Sequence, residues 1–77
     1  MKIERWERID HSKTKVEWKH DTGVRIILQK FGNIYCLSIY DSSGIEHFTT
    51  QNPNRTKMEY KATQWQREYN KHLTKVS

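Results

Sequence analysis

The chain of 77 residues holds one cysteine, one proline and three glycines, and each scarcity excludes something. A lone Cys36 cannot form an internal disulfide, the staple a secreted domain of this size usually needs, so a reducing, cytoplasmic setting is expected. Residues 1–8 alternate charge with bulk and contain no apolar run that suits a signal peptide or a spanning helix, so no membrane insertion is expected. There is no internal repeat, low-complexity tract or linker, which implies a single domain over residues 1–77 with one core. A chain this short hides only about 60% of its unfolded surface.

Chemistry-bearing clusters are also missing. His11, His20, His47 and His72 show no metal-ligand spacing, so neither a metal nor a cofactor is expected. Cys36 falls inside an alternating segment with no neighbouring base. His20-Asp21 sits on a turn, where both residue types serve backbone needs. Asp41-Ser42-Ser43-Gly44 lacks the strand-to-helix setting of a nucleophile elbow. No catalytic residue emerges, and a non-enzymatic protein is expected.

What is present is aromatic and basic. Three Trp, four Tyr and two Phe argue against disorder in a chain that is 34% apolar and 30% charged. Residues 1–52 hold eight Lys and Arg against seven Asp and Glu, whereas residues 53–77 hold six against two. The excess positive charge therefore collects in the last third, where it favours polyanions or simply solvates a helix face.

The three glycines, at 23, 32 and 44, each fall where an alternating segment stops. His20–Gly23 and Asp41–Gly44 have the form of type I turns with a glycine bulge, and Gly32-Asn33 suits a two-residue primed turn. Strands are thus expected at about 14–20, 24–31, 34–40 and 45–50. Setting His20 opposite Val24 and Phe31 opposite Ile34 places Val16, Trp18, Val24, Ile26, Leu28, Tyr35, Leu37 and Ile39 on one face. Two independent turns agreeing on one apolar face is strong internal support. For the third hairpin, Asp41 facing Ile45 puts His47 on the core face and Phe48 on the opposite one, and a loop one residue longer exchanges them; the first arrangement is expected. Residues 3–9 alternate imperfectly and suit a fifth, edge strand whose charges discourage further pairing, with Trp6 covering part of the sheet.

After Pro53, Thr56-Lys57-Met58-Glu59 has the form of a capping box, and a helix is expected over about 56–75. Met58, Ala62, Trp65, Tyr69, His72, Leu73 and Val76 lie within about 60° of one line on it. That stripe fits the apolar sheet face. The expected fold is α+β: an antiparallel β-meander of four strands, or five with the N-terminal stretch, packed on one face by a single C-terminal helix.

On this layout the uncovered sheet face carries Lys15, Glu17, Lys19, Arg25, Ile27, Gln29, Phe31, Ile34, Cys36, Ser38, Tyr40 and Phe48. Lys57, Lys61, Lys71 and Lys75 fall on one helix flank, with Gln64 among them and Arg67 just beyond, broken by Glu68, which has Lys71 in reach as a partner. Basic groups beside aromatics suit bases stacked on Tyr40, Phe31 and Phe48 with phosphates held by Lys and Arg. The leading expectation is a nucleic-acid-binding module for DNA or RNA, anchored by Lys15, Lys19, Arg25, Lys30 and Tyr40, with the helix lysines on phosphates. The alternative is a protein-interaction module, an accessory protein or inhibitor of a mobile element or virus, anchored by Phe31, Ile34 and Phe48, or a homodimer through the same face. In architecture alone, a small antiparallel sheet backed by one C-terminal helix resembles the plant ethylene-response DNA-binding domain and the arm-binding domains of phage-type integrases, whose sheet enters the major groove; the resemblance assigns no residues.

Overall fold

Turn chemistry sets the register of the sheet. In the computed structural model, which describes residues 3–76 and the side chains of 3–72, Gly32 has φ 61°. A positive φ at the first central position, followed by an ordinary Asn33, makes a type II′ turn between Phe31 and Ile34. At Gly23, φ is 98°, a conformation that favours glycine, and an added Cβ would sit tightly against the Ser42 Cβ at 3.0 Å.

Five strands form a meander: β1 (Trp6–His11), β2 (Lys15–His20), β3 (Arg25–Phe31), β4 (Ile34–Tyr40) and β5 (Glu46–Asn52). All neighbours are antiparallel in the order β1-β2-β3-β4-β5. The expected register is observed across both central hairpins: Trp18 faces Ile26, Val16 faces Leu28, Leu28 faces Leu37 and Ile26 faces Ile39. The N-terminal strand is real but lies a few residues later than expected, and a bulge between Arg8 and Asp10 sets Ile9 out of the ladder.

The third hairpin differs from expectation. Asp41 does face Ile45, its N–H donating to the Ile45 carbonyl at 3.0 Å. One residue further on, however, the register shifts, so that Tyr40 pairs with Glu46 but Ile39 pairs with Phe48. The Asp41 carboxylate explains the shift. It accepts the Ser43 and Ile45 N–H groups at 2.9 and 3.0 Å and meets His47 Nε2 at 2.7 Å, tying His47 back to the turn as the extra residue of a bulge. Phe48 therefore lies on the helix side, edge-on to Trp65 at 5.3 Å, and not on the open face.

Helix α1 (Arg55–Val76) also starts differently. Asn54 is its N-cap, its side-chain oxygen accepting the Lys57 N–H at 3.1 Å, while Asn52 receives the Asn54 N–H at 2.8 Å. Asparagine is as good a cap as threonine, and capping from Asn54 leaves Thr56 inside the first turn. Glu59, freed from the expected capping box, pairs with Arg55 at 3.5 Å. The stripe holds through Met58, Ala62, Trp65 and Tyr69, but His72 is exposed. The side chains of Leu73 and Val76 lie outside those described.

Helix and sheet are joined by an aromatic and polar cluster that sequence spacing did not announce. Trp6 is fully buried and its indole N–H donates to the Gln66 carbonyl at 3.1 Å. Beside it His20, read from the sequence as a turn residue, is buried edge-on to both Trp6 and Tyr69, at 4.9 and 4.8 Å. The Thr22 N–H donates to His20 Nδ1 at 3.1 Å, so that nitrogen carries no proton and Nε2–H donates to the Asn70 side-chain oxygen at 3.0 Å. Asn70 in turn donates to the Glu4 carbonyl at 2.9 Å. Arg5, at φ 70°, turns the chain so that Trp6 enters the core, at a backbone cost of about 1 kcal/mol or more.

Two consequences are measurable. Replacing Trp6 by Phe removes the indole donor and part of the volume, and should lower stability by about 2–3 kcal/mol in a denaturant melt. Burial, opposed by the Asn70 hydrogen bond, lowers the His20 pKa below 6.5. The unfolded chain then binds more protons than the folded one, so the contribution of neutral His20 is complete above pH 6.5 and is lost as pH falls through the lowered folded value. Melting temperature should drop on acidification across that window, and His20→Gln should flatten the dependence.

Candidate functional site

The sheet face turned away from α1 carries the residues that alternation placed there, apart from Phe48, but two of its three cations, Lys15 and Arg25, are already engaged, while Lys19 forms no ion pair among the described residues. Glu17, with its side chain 8% exposed, receives Lys15 at 3.4 Å and Arg25 at 3.2 Å. Lys15 also approaches Asp10 at 4.0 Å. The register adds Glu7 opposite Lys19 and Glu46 opposite Tyr40, whose hydroxyl donates to Glu46 at 3.4 Å. Among the described residues this face thus sets Lys15, Lys19 and Arg25 against Glu7, Asp10, Glu17 and Glu46, with no cationic excess. Its apolar part is at the β3–β4 tip, where Phe31 and Ile34 are paired and 56% and 41% exposed. Lys30 points to the other side, its ammonium 6.0 Å from the Tyr35 ring centroid.

Helix α1 presents the opposite case. Advancing about 100° per residue, Lys57, Lys61, Gln64, Glu68 and Lys71 fall within about 40° of one line, with Tyr60 and Arg67 just beyond. Among the described residues, no carboxylate lies within ion-pair distance of Lys57, Lys61, Arg67 or Lys71. The expected Glu68–Lys71 pair is not formed. The side chain of Lys75 lies outside those described.

A groove of about 490 Å³ runs between this flank and β5, with Thr50, Gln51 and Asn52 below and Lys57, Tyr60, Lys61 and Gln64 above. A smaller hollow of about 170 Å³ continues along the helix past Gln64, Arg67 and Lys71. Tyr60 stands between them, 74% exposed. The structure thus brings together Lys57, Lys61 and Lys71, and separates them from Lys15, Lys19, Arg25 and Tyr40 on the far side of the sheet. Tyr60 was not singled out from the sequence. Its signal was there: it lies about 200° from Met58 on the helix, an aromatic ring on the polar side of an amphipathic segment.

Other chemistry is sparse. His47 and Asp41 form a close pair, and the Asp41 carboxyl is held below its ordinary value by the His47 hydrogen bond first and the Ile45 and Ser43 N–H groups after it. Those same contacts hold the β4–β5 turn. Among the described residues, no group of three or more His, Cys, Asp and Glu is placed to hold a metal ion, and no helix is long and apolar enough to cross a membrane.

Comparison with protein families, curated proteins and solved structures finds no match, which leaves the chain's own geometry to carry its functional reading.

The ion-pair arrangement on the open face has a direct test. Glu17→Gln strands two partly exposed cations, and should cost about 1–2 kcal/mol of stability, less than the loss of a fully buried pair. A double-mutant cycle with Arg25→Gln should recover part of that cost, and a null coupling would mean the pair is incidental.

Proposed function

We propose that the chain is a non-enzymatic nucleic-acid-binding module that takes a single strand along the α1 flank and the groove beside β5. The observation that carries the reading is the row of unpaired Lys57, Lys61, Arg67 and Lys71 beside the exposed Tyr60 ring, on the element with the largest excess of cations in the described chain. Unpaired ammonium groups release counterions when they meet phosphates, and an exposed ring gives an unpaired base a stacking platform. A duplex hides its base faces, so the ring favours single strands. The open sheet face is a weaker phosphate site because Lys15 and Arg25 must first leave Glu17. A lone, half-buried Cys36 is consistent with work in a reducing compartment such as the cytoplasm.

Mobility shift over a salt series tests this with single-stranded DNA, RNA and duplex in parallel. Four phosphate contacts to a single strand predict a slope of log K against log salt of about −3. Lys57→Glu with Lys61→Glu should flatten that slope and weaken binding, and Tyr60→Ala should cost about 1–3 kcal/mol. Lys19→Glu should change little. Binding that ignores salt, or that depends on Lys19 and Arg25 instead of the helix, would overturn the reading.

A protein partner on the open face is favoured by one observation, the exposed Phe31–Ile34 pair at the β3–β4 tip. In that case Phe31→Ser would abolish partner binding while the helix charge reversals would not.

A further inference from the structure

The two edges of the sheet are not alike. β1 bears Glu7, Arg8 and Asp10 and is interrupted by its bulge, the usual protections against edge pairing. β5 from His47 to Asn52 has no formally charged residue apart from the titratable histidine and no proline. Backbone direction along it is set by the type II′ turn. Phe31 and Ile34 close that turn as a hydrogen-bonded pair, so alternation along β4 aims the backbone groups of Tyr35, Leu37 and Ile39 at β5. These meet Asn52, Thr50 and Phe48. Thr49 and Gln51, between them, turn their N–H and C=O groups outward, with no described segment alongside.

We infer that β5 pairs antiparallel with β5 of a second copy about a two-fold axis at Thr50, merging the two lysine-walled grooves into one cleft. In that register Thr49 of each copy opposes Gln51 of the other, which uses both outward-facing residues, and Thr50 opposes Thr50. No like charges meet along the strands. The bulge at His47 and Pro53 bound the paired segment at either end. A continuous sheet becomes the floor, and Lys57 and Lys61 from each copy line opposite walls. The groove of one copy is open on its outer side, and the second copy closes it.

Size and charge set the strength of this pairing. Five residues a side bury less than the roughly 1,000 Å² of a stable interface. The facing lysine rows also repel, so the isolated chain at low salt is monomeric and a polyanion in the cleft joins the two copies. The choice of a nucleic-acid strand as that polyanion rests on the function proposed above; the strand pairing does not.

Sedimentation velocity on the full chain at two concentrations separates the two. The arms are low salt, high salt, and low salt with a short oligothymidylate. Wild type should be monomeric at low salt, self-associate at high salt where the lysines are screened, and carry two chains on each oligonucleotide. Thr49→Pro removes an outward N–H and keeps the backbone ladder to β4, Thr49→Lys charges the edge, and both lose the Thr49 hydroxyl contact to Ser38 at 3.0 Å. Both should stay monomeric in every arm and bind the oligonucleotide about tenfold more weakly or worse. Circular dichroism checks that they fold, and Thr49→Lys decides if the proline does not. A wild type that is monomeric throughout, one chain per oligonucleotide, or a Thr49→Lys variant that assembles like wild type overturns the pairing. High-salt association lost in the variants, with no oligonucleotide bound, upholds the pairing and overturns the nucleic-acid reading alone.

Discussion

The indole of Trp6 is the joint on which the architecture depends. A single helix over a five-stranded layer leaves the outer strands short of cover, and β1 is farthest from the helix's own connection to β5. Trp6 bridges that distance. Its ring is buried in the core, its N–H reaches the Gln66 carbonyl, and His20 and Tyr69 pack edge-on around it. Each ring in the cluster is held by a neighbour as well as by apolar burial, and Thr22 links His20 to the Tyr69 hydroxyl at 2.9 Å. Fixing this end of α1 fixes its azimuth, which keeps Lys57 and Lys61 toward β5 and Arg55 toward the β1–β2 turn, where it donates to the Lys13 carbonyl at 3.1 Å.

How much of this was legible in the sequence varies with the range of the interaction. The central hairpins were readable because glycine position sets turn type, and turn type sets which residues oppose each other across β2, β3 and β4. Phe48 was misplaced because a side chain, Asp41, pulls His47 out of the ladder, and alternation alone does not contain a bulge. The helix start was displaced for a similar reason: Asn54 and Thr56 both cap well, and local pattern does not rank them. His20 escaped notice as a core residue although its partner Val24 and the alternation with Val16 and Trp18 place it on the apolar face; the Asn70 bond that satisfies its ring there lies fifty positions away. On the binding side, the helix lysines were visible as a row, but the neutralisation of Lys15 and Arg25 needed cross-strand geometry to appear.

The division of charge has a simple origin. An uncovered β face must stay wet without inviting a second layer, and interleaved acids and bases anchored on a rigid sheet do this. A helix lying on one face has more than half its circumference in water, so its cations can stand apart from carboxylates at little cost. The sheet therefore holds Lys15 and Arg25 in an internal lattice around Glu17, whereas the helix leaves Lys57, Lys61, Arg67 and Lys71 free of ion pairs among the described residues. The fold gives the chain one neutral side and one positively charged ridge.

The meander also dictates an order of assembly. Every strand pairs with its neighbour in the chain, so the ladder closes only short loops, the quick kind. Trp6 and the carbonyl it needs are 60 positions apart. A ribosome that has delivered the five strands but not yet residue 66 holds a formed sheet whose largest ring has no roof. That interval, with an unburied indole on a one-sided layer, is when a nascent chain is most exposed to aggregation and most attractive to a chaperone.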